Sequence, residues 1–148
     1  MTATLATLEE FLQQYGWEYE IRDTVISTGF QGASNTFRVF IQPTEAWVLL
    51  AIVPFVPPPA AECEGRFYRQ LAQVNYELNL AKLSADPDGD VALLSELPAL
   101  ALAYEQFALA LDALCFYADE YYLPLLNLAR DPAYVWPAMP EATGEATP

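Results

Sequence analysis

The reading of the fold turns on CEGRFYRQLAQVNYELN (63–79), LAKLSA (80–85), DPDGD (86–90) and VALLSEL (91–97). In the first part Phe67, Leu71, Val74 and Leu78 recur at i, i+4, i+7 and i+11, with Arg66, Arg69, Gln73 and Glu77 facing away. That is the period of a helix with one apolar face, and Asn79 is placed to end it. The two apolar runs that follow flank Asp88-Gly89, a pair suited to the positive φ of a two-residue hairpin turn. The stretch therefore predicts helix, strand, tight turn, strand.

Upstream, Leu5, Leu8, Phe11, Leu12 and Tyr15 repeat with helical spacing, so residues 2–15 read as an amphipathic helix stopped by Gly16. Residues 17–22 alternate strictly, with Trp17, Tyr19 and Ile21 on one side, and read as a half-buried strand. A second strand is expected over residues 25–30, broken by Gly29 and Gly32. A third covers 34–42, with Phe37, Val39 and Ile41 opposite Thr36, Arg38 and Phe40. The run WVLLAIVPF (47–55) is a fourth strand, and it is apolar on both faces. Such a strand needs cover on both sides. Either it lies at the sheet centre under two layers of its own chain, or a second chain covers its outer face.

Downstream, residues 99–117 read as a long helix whose polar positions Glu105, Asp112 and Asp119 form one narrow stripe seven residues apart. The rest of its circumference is so apolar that more than one neighbour must bury it. Pro124 is expected to kink or restart it. Residues 131–148 form a proline-rich acidic tail, with Tyr134, Val135, Trp136 and Met139 as its sticky part and disorder expected from Glu141 onward. The expected organisation is one domain over residues 1–130, followed by this tail.

Composition narrows the function. With 148 residues, 54% hydrophobic and 14% aromatic, the chain can bury a real core. Net charge is −14 and only six residues are basic. Tracking phosphates needs clustered Lys and Arg, so neither nucleic acid nor an anionic membrane surface is an expected partner. Two apolar runs, 46–61 and 97–118, are interrupted by prolines or carboxylates and do not read as membrane spans. No basic stretch followed by an apolar run opens the sequence, and Cys63 and Cys115 read as small apolar side chains. A reduced cytoplasmic setting is the expectation.

The same central region carries a resemblance. Asn75-x-x-Leu78, Leu83-x-x-Asp86, Asp88-Gly89-x-Val91-x-Leu93-x-x-x-Leu97, and a long helix ending Ala118-Asp119-x-Tyr121-Tyr122-x-Pro124 resemble the YbjN-domain family. The resemblance spans about residues 3 to 130. It implies an α+β fold similar to type III secretion chaperones, α-β-β-β-α-β-β-α around an antiparallel sheet, here with an extra strand before the second helix. It also implies a regulator of sensory transduction without catalytic residues. The type III chaperones themselves are acidic dimers that hold an extended segment of another protein.

Candidate chemistry is sparse. There is no histidine, which removes Ser-His-Asp and Cys-His nucleophile systems and histidine metal sites. Asp86, Asp88 and Asp90 miss calcium-loop spacing, because counting from Asp86 puts glycine at position 4 and Leu97 at position 12. Glycine-rich phosphate loops are absent. Glu9-Glu10 and Asp119-Glu120 are adjacent pairs that point about a hundred degrees apart on a helix. No catalytic residue, metal or cofactor is therefore expected. The expectation is a non-enzymatic, chaperone-like or regulatory binding protein that pairs with itself as a homodimer or takes an extended peptide or client. Its contact residues are expected to be Arg38, Phe40, Trp47 and Leu49. The alternative is a sensory regulator holding a small apolar ligand between the long C-terminal helix and the sheet.

Overall fold

A computed structural model describes residues 1–137. The chain runs α1 (Leu5–Tyr15), β1 (Glu20–Arg22), β2 (Val25–Gln31), β3 (Thr36–Pro43), β4 (Trp47–Val56), α2 (Glu64–Glu77), β5 (Lys82–Ala85), β6 (Val91–Pro98) and α3 (Tyr104–Arg130), with one 3-10 turn, Ala61–Cys63, before α2. The six strands form one antiparallel sheet in the order β1-β2-β3-β4-β6-β5. This is the expected α+β order of elements, extra strand included.

The sheet has a closed and an open face. Ile26, Ile41 and Leu50 share one register row, and Leu83, Leu93 and Ile52 another. All of these side chains are buried, and they join Leu8, Leu12, Phe67, Phe107, Leu111, Leu114 and Leu125 in a single core. The three helices therefore pack on this one face, with α3 lying over β4 and β6 and α1 and α2 flanking it. Burial of α3 by several neighbours follows from its broad apolar circumference, as expected. Phe11 of α1 sets its ring 5.8 Å from Tyr104 and 5.4 Å from Phe107.

Helix ends follow local chemistry. Thr4 and Thr7 cap α1 reciprocally, and Gly16 closes it in the left-handed region at φ 95°. The helix begins three residues later than its pattern suggested, because residues 1–3 lie beside 99–101. Ala3 N–H donates to the Ala99 carbonyl at 2.9 Å, and Ala101 N–H to Met1 at 2.7 Å. For the same reason α3 starts at Tyr104 instead of Ala99, and it runs unbroken past Pro124 to Arg130.

Three further expectations are corrected. Residues 17–22 are not a half-buried strand: only Glu20–Arg22 pair, and all three are exposed. Trp17 instead packs between Tyr15 and Phe30, at 5.1 and 5.6 Å between ring centroids. Gly29 does not break β2. It lies inside the strand, where a Cβ would come within 2.7 Å of the Phe37 carbonyl oxygen. The β5–β6 connection is no two-residue turn. The Asp86 carboxylate accepts the N–H groups of Asp88 and Asp90, both at 2.9 Å, and organises a five-residue loop in which only Gly89 has positive φ.

Asn75 finishes the sheet edge. β5 is an outer strand, and the Asn75 side chain accepts from Leu83 N–H at 2.8 Å and donates to the Leu83 carbonyl at 2.9 Å. One side-chain amide from α2 thus occupies ladder groups that would otherwise invite a further strand. The tail turns back onto the helices. Arg66 donates to the carbonyl of Pro132 at 2.6 Å and to that of Tyr134, while Trp136 stacks on Tyr121. Val135 is left exposed. Met139 and the segment from Glu141 onward lie outside the described residues.

Candidate protein-binding surface

Alternation along β3 and β4 builds the open face. Because Phe37, Val39 and Ile41 point into the core, Arg38 and Phe40 point out. Because Val48, Leu50 and Ile52 point in, Trp47, Leu49, Ala51 and Val53 point out. The four contact candidates, Arg38, Phe40, Trp47 and Leu49, therefore share one surface. One register row crosses all six strands: Glu20, Ser27, Phe40, Ala51, Leu94 and Lys82. A second joins Gln42, Leu49 and Glu96, and Trp47 sits opposite Pro98.

None of the three helices covers this face. Trp47 keeps 51% of its surface exposed, and Phe40, Leu49, Val53 and Leu94 are half-buried. Of the two alternatives for β4, its place at the sheet centre holds, but cover by two layers of the described chain does not. Leu94 and Val53 belong to the same apolar centre and were not singled out from the sequence. For Leu94 the signal was there, since it alternates with the inward Leu93.

The charge on this face is unlike the charge of the chain. Arg22, Arg38 and Lys82 lie on it against Glu20 and Glu96, and Lys82 and Glu96 form an ion pair at 3.0 Å. The excess acid that gives the chain its −14 lies elsewhere. At the β1 side, Glu18, Tyr19, Glu20, Ser27, Thr28 and Arg38 line an open polar notch of about 390 Å³.

On the helical side the acids are structural. Tyr15 O–H donates to Asp112 at 2.5 Å, and Asp119 accepts from Ala33 N–H at 2.9 Å. The stripe thus ties the end of α1 and the β2–β3 turn to α3. Gly32 makes room for this, since a Cβ there would lie 2.5 Å from the Asp119 carboxylate. Burial, then the Asp112 carboxylate, holds the Tyr15 hydroxyl above its ordinary pKa. Burial, then Asp112 and Asp119, pushes the Cys115 thiol up to about 12. Cys63 and Cys115 are free thiols.

Among the described residues, two of the acids singled out from the sequence are engaged in structural hydrogen bonds. Glu9 accepts from the Tyr19 hydroxyl at 3.0 Å and the Asp86 carboxylate is taken by backbone N–H groups. Among the described residues no three Asp, Glu or Cys are grouped to hold a metal. The layer between α3 and the sheet is filled by Leu50, Leu93, Phe107, Leu111 and Leu114, none more than 1% exposed. Also among the described residues, no helix is long and apolar enough to cross a membrane.

Comparison with known proteins gives the same architecture. A chain of the heterodimeric complex ExoU-SpcU, from the type III secretion system of Pseudomonas aeruginosa, superposes with a TM-score of 0.57 at 21% identity, over 82% of this chain and 97% of that one. YbjN from E. coli, described as a putative transcription regulator, superposes with a TM-score of 0.60 at 16% identity, over 81% of this chain and 92% of that one. No curated protein matches the sequence. Residues 4–126 match the family described as "Putative bacterial sensory transduction regulator". With the match spanning most of its length, the chain belongs to the YbjN family.

Proposed function

We propose that this chain is a non-enzymatic protein-binding module, and that its open sheet face, centred on Arg38, Phe40, Trp47 and Leu49, takes a second copy of the chain. The observation that carries this reading is the uncovered, apolar and charge-balanced face of the sheet. A flat apolar patch of this kind on a soluble domain marks an interaction surface. Two chains of net charge −14 repel each other, so self-association favours a face from which the excess acid is missing.

The register adds complementarity. A two-fold axis parallel to the strands, between β3 and β4, reverses the row that crosses the sheet. It sets Glu20 of one copy over Lys82 of the other, and Phe40 against the Ala51 region, with Trp47 and Leu49 filling the centre. The fold neighbour in the ExoU-SpcU complex, itself half of a heterodimer, supports protein partnering as a use of this architecture. In this reading residues 1–130 act as one unit in the cytoplasm, a setting that keeps two free cysteines reduced.

Light scattering behind size exclusion tests the proposal. The expected result is twice the 16.5 kDa chain mass. Phe40→Asp and Trp47→Asp are expected to return it to the single-chain mass, with melting temperature shifted by less than about 4 °C, the scale of about 1 kcal/mol in a domain of this size. Phe40→Ala and Trp47→Ala serve if the charged variants unfold. A mass of one chain at every concentration overturns self-association. Binding of an extended client peptide to the same face, lost in the same variants, would then be the surviving form of the module.

A further inference from the structure

The helical side of the molecule carries a second apolar strip, on the opposite side from the sheet face. Leu109, Phe116 and Leu123 of α3 are 55%, 60% and 47% exposed. They are seven residues apart, so they lie on one line along the helix, with ends about 21 Å apart at 1.5 Å per residue. α1 and α2 flank α3 and bury its other sides, which leaves this line as the crest of the helical layer. Three large side chains on one crest differ from the scattered apolar residues of an ordinary surface.

Acids border the crest on both sides. Asp112 lies toward α1, where it holds Tyr15, and Asp119 toward the β2–β3 turn, where it holds Ala33. Glu120 lies toward α2, and Glu105 at the N-terminal end of the line. α3 carries four acids, Glu105, Asp112, Asp119 and Glu120, against one base, Arg130 at its far end. Pro124 has no N–H, so the Glu120 carbonyl lacks its ordinary helical donor.

We propose that this crest docks an amphipathic basic helix of a partner protein. The partner's apolar residues would recur at three- and four-residue spacing against Leu109, Phe116 and Leu123, with Lys or Arg on both flanks to meet the acids. A heptad line on one helix is matched by a heptad line on another, which sets the shape of the partner. Charge sets its sign, because acids on both sides disfavour every acidic occupant.

The other occupants fail on this ground. A second copy packed antiparallel about Phe116 pairs Leu109 with Leu123, but brings Asp112 beside Asp119 of the other chain. A parallel pairing brings each acid over itself. The remainder of the tail, residues 138–148, contains Glu141 and Glu145 and no Lys or Arg. An anionic bilayer is repelled by the same carboxylates.

The test uses the full chain and two synthetic helical peptides of about 21 residues, long enough to span about 30 Å. Both carry leucine at heptad positions, one flanked by lysine and the other by glutamate. Binding is followed by fluorescence anisotropy at about 150 mM salt, where long-range charge effects are screened within about 8 Å. The lysine peptide is expected to bind and the glutamate peptide not. Phe116→Ala is expected to weaken binding about tenfold, as for a central aromatic contact. Glu105→Gln with Glu120→Gln should weaken it more than Glu62→Gln with Glu64→Gln, which remove the same charge elsewhere. Affinity that ignores Phe116→Ala, or equal binding of both peptides, overturns the proposal. A native dimer lost on Phe116→Ala also overturns it, by assigning the crest to a second copy. Trp47→Asp, which tests the sheet face, is expected to leave peptide binding unchanged, so the two readings fail separately.

Discussion

Leu49 and Leu50 are neighbours on β4 with opposite surroundings. Leu50 is fully buried beneath α3, whereas Leu49 lies half-buried between Gln42 and Glu96 on the face that no helix covers. The contrast extends over the whole sheet. One side is a packed layer in which Leu, Ile, Phe and Val from every helix and from strands β2 to β6 interlock. The other is an apolar floor with a half-exposed tryptophan and a balanced set of charges around it. A strand apolar on both faces is thus explained on one face by the packing of the helices, while its other face is left open by the described chain.

The largest expected difference between the two faces comes from truncating those neighbours. Leu50→Ala leaves a cavity in a close-packed layer and is expected to cost about 2–5 kcal/mol. Leu49→Ala removes the same atoms from a half-wet surface and is expected to cost less than about 1 kcal/mol. Urea denaturation at low protein concentration checks both. Equal losses would mean that the outer face is covered even in the isolated chain, and the contrast would be lost. At high concentration, the Leu49→Ala cost should grow if the second copy covers this face.

Periodicity made much of this legible, and the misses share a cause. α2 was visible in Phe67, Leu71 and Val74 because its buried face is written at helical spacing within one segment. The four contact candidates on β3 and β4 fell on one face because alternation fixes side-chain direction in any strand. On β4 alone the open face was not legible, since both of its sides are apolar; the side was indicated by Arg38 on the neighbouring β3. The start of α3 was misread because residues 99–101 pair with residues 1–3, nearly a hundred positions away. Asp112 and Asp119 read as a wet stripe because their partners, Tyr15 and Ala33, come from distant elements. The Asp86 loop was local, yet a carboxylate that satisfies two backbone N–H groups competes with the turn that Asp-Gly alone suggests.

A smaller effect separates the two sides by pH. On the helical side, Tyr15 and Cys115 hold their protons more tightly in the fold than their ordinary pKa values of 10.0 and 9.0 imply. A raised pKa stabilises the fold fully below the unfolded value, and that contribution is lost as pH climbs above it. Thermal stability is therefore expected to fall from about pH 9 upward, through the Cys115 range toward about 12. Tyr15→Phe and Cys115→Ala should each flatten that decline while lowering stability at neutral pH by about 1 kcal/mol or less. A decline equally steep in both variants would assign it to the charge of the chain as a whole. The same shift makes Cys115 slow toward thiol reagents at pH 8, since the thiolate is the reactive form.

The smallest expected effect lies on the open face and is the most diagnostic of whether that face is covered. Lys82 and Glu96 pair at 3.0 Å with side chains 54% and 47% exposed. In the free chain such a pair contributes about 0–1 kcal/mol, because water screens it and two long side chains must be held still. Glu96→Gln is therefore expected to leave the melting temperature of the dilute chain nearly unchanged. If a second copy settles on the face, the pair loses water and Lys82 faces Glu20 of the other chain. Removing Glu96 then disturbs the balance of a dry interface, where an unmatched charge costs several kcal/mol. The expected signature is a variant whose folding is indifferent to the substitution but whose dissociation constant rises, and rises less in high salt. A variant with unchanged association would place Glu96 outside the contact, and would confine the buried patch to the Phe40, Leu49 and Trp47 centre.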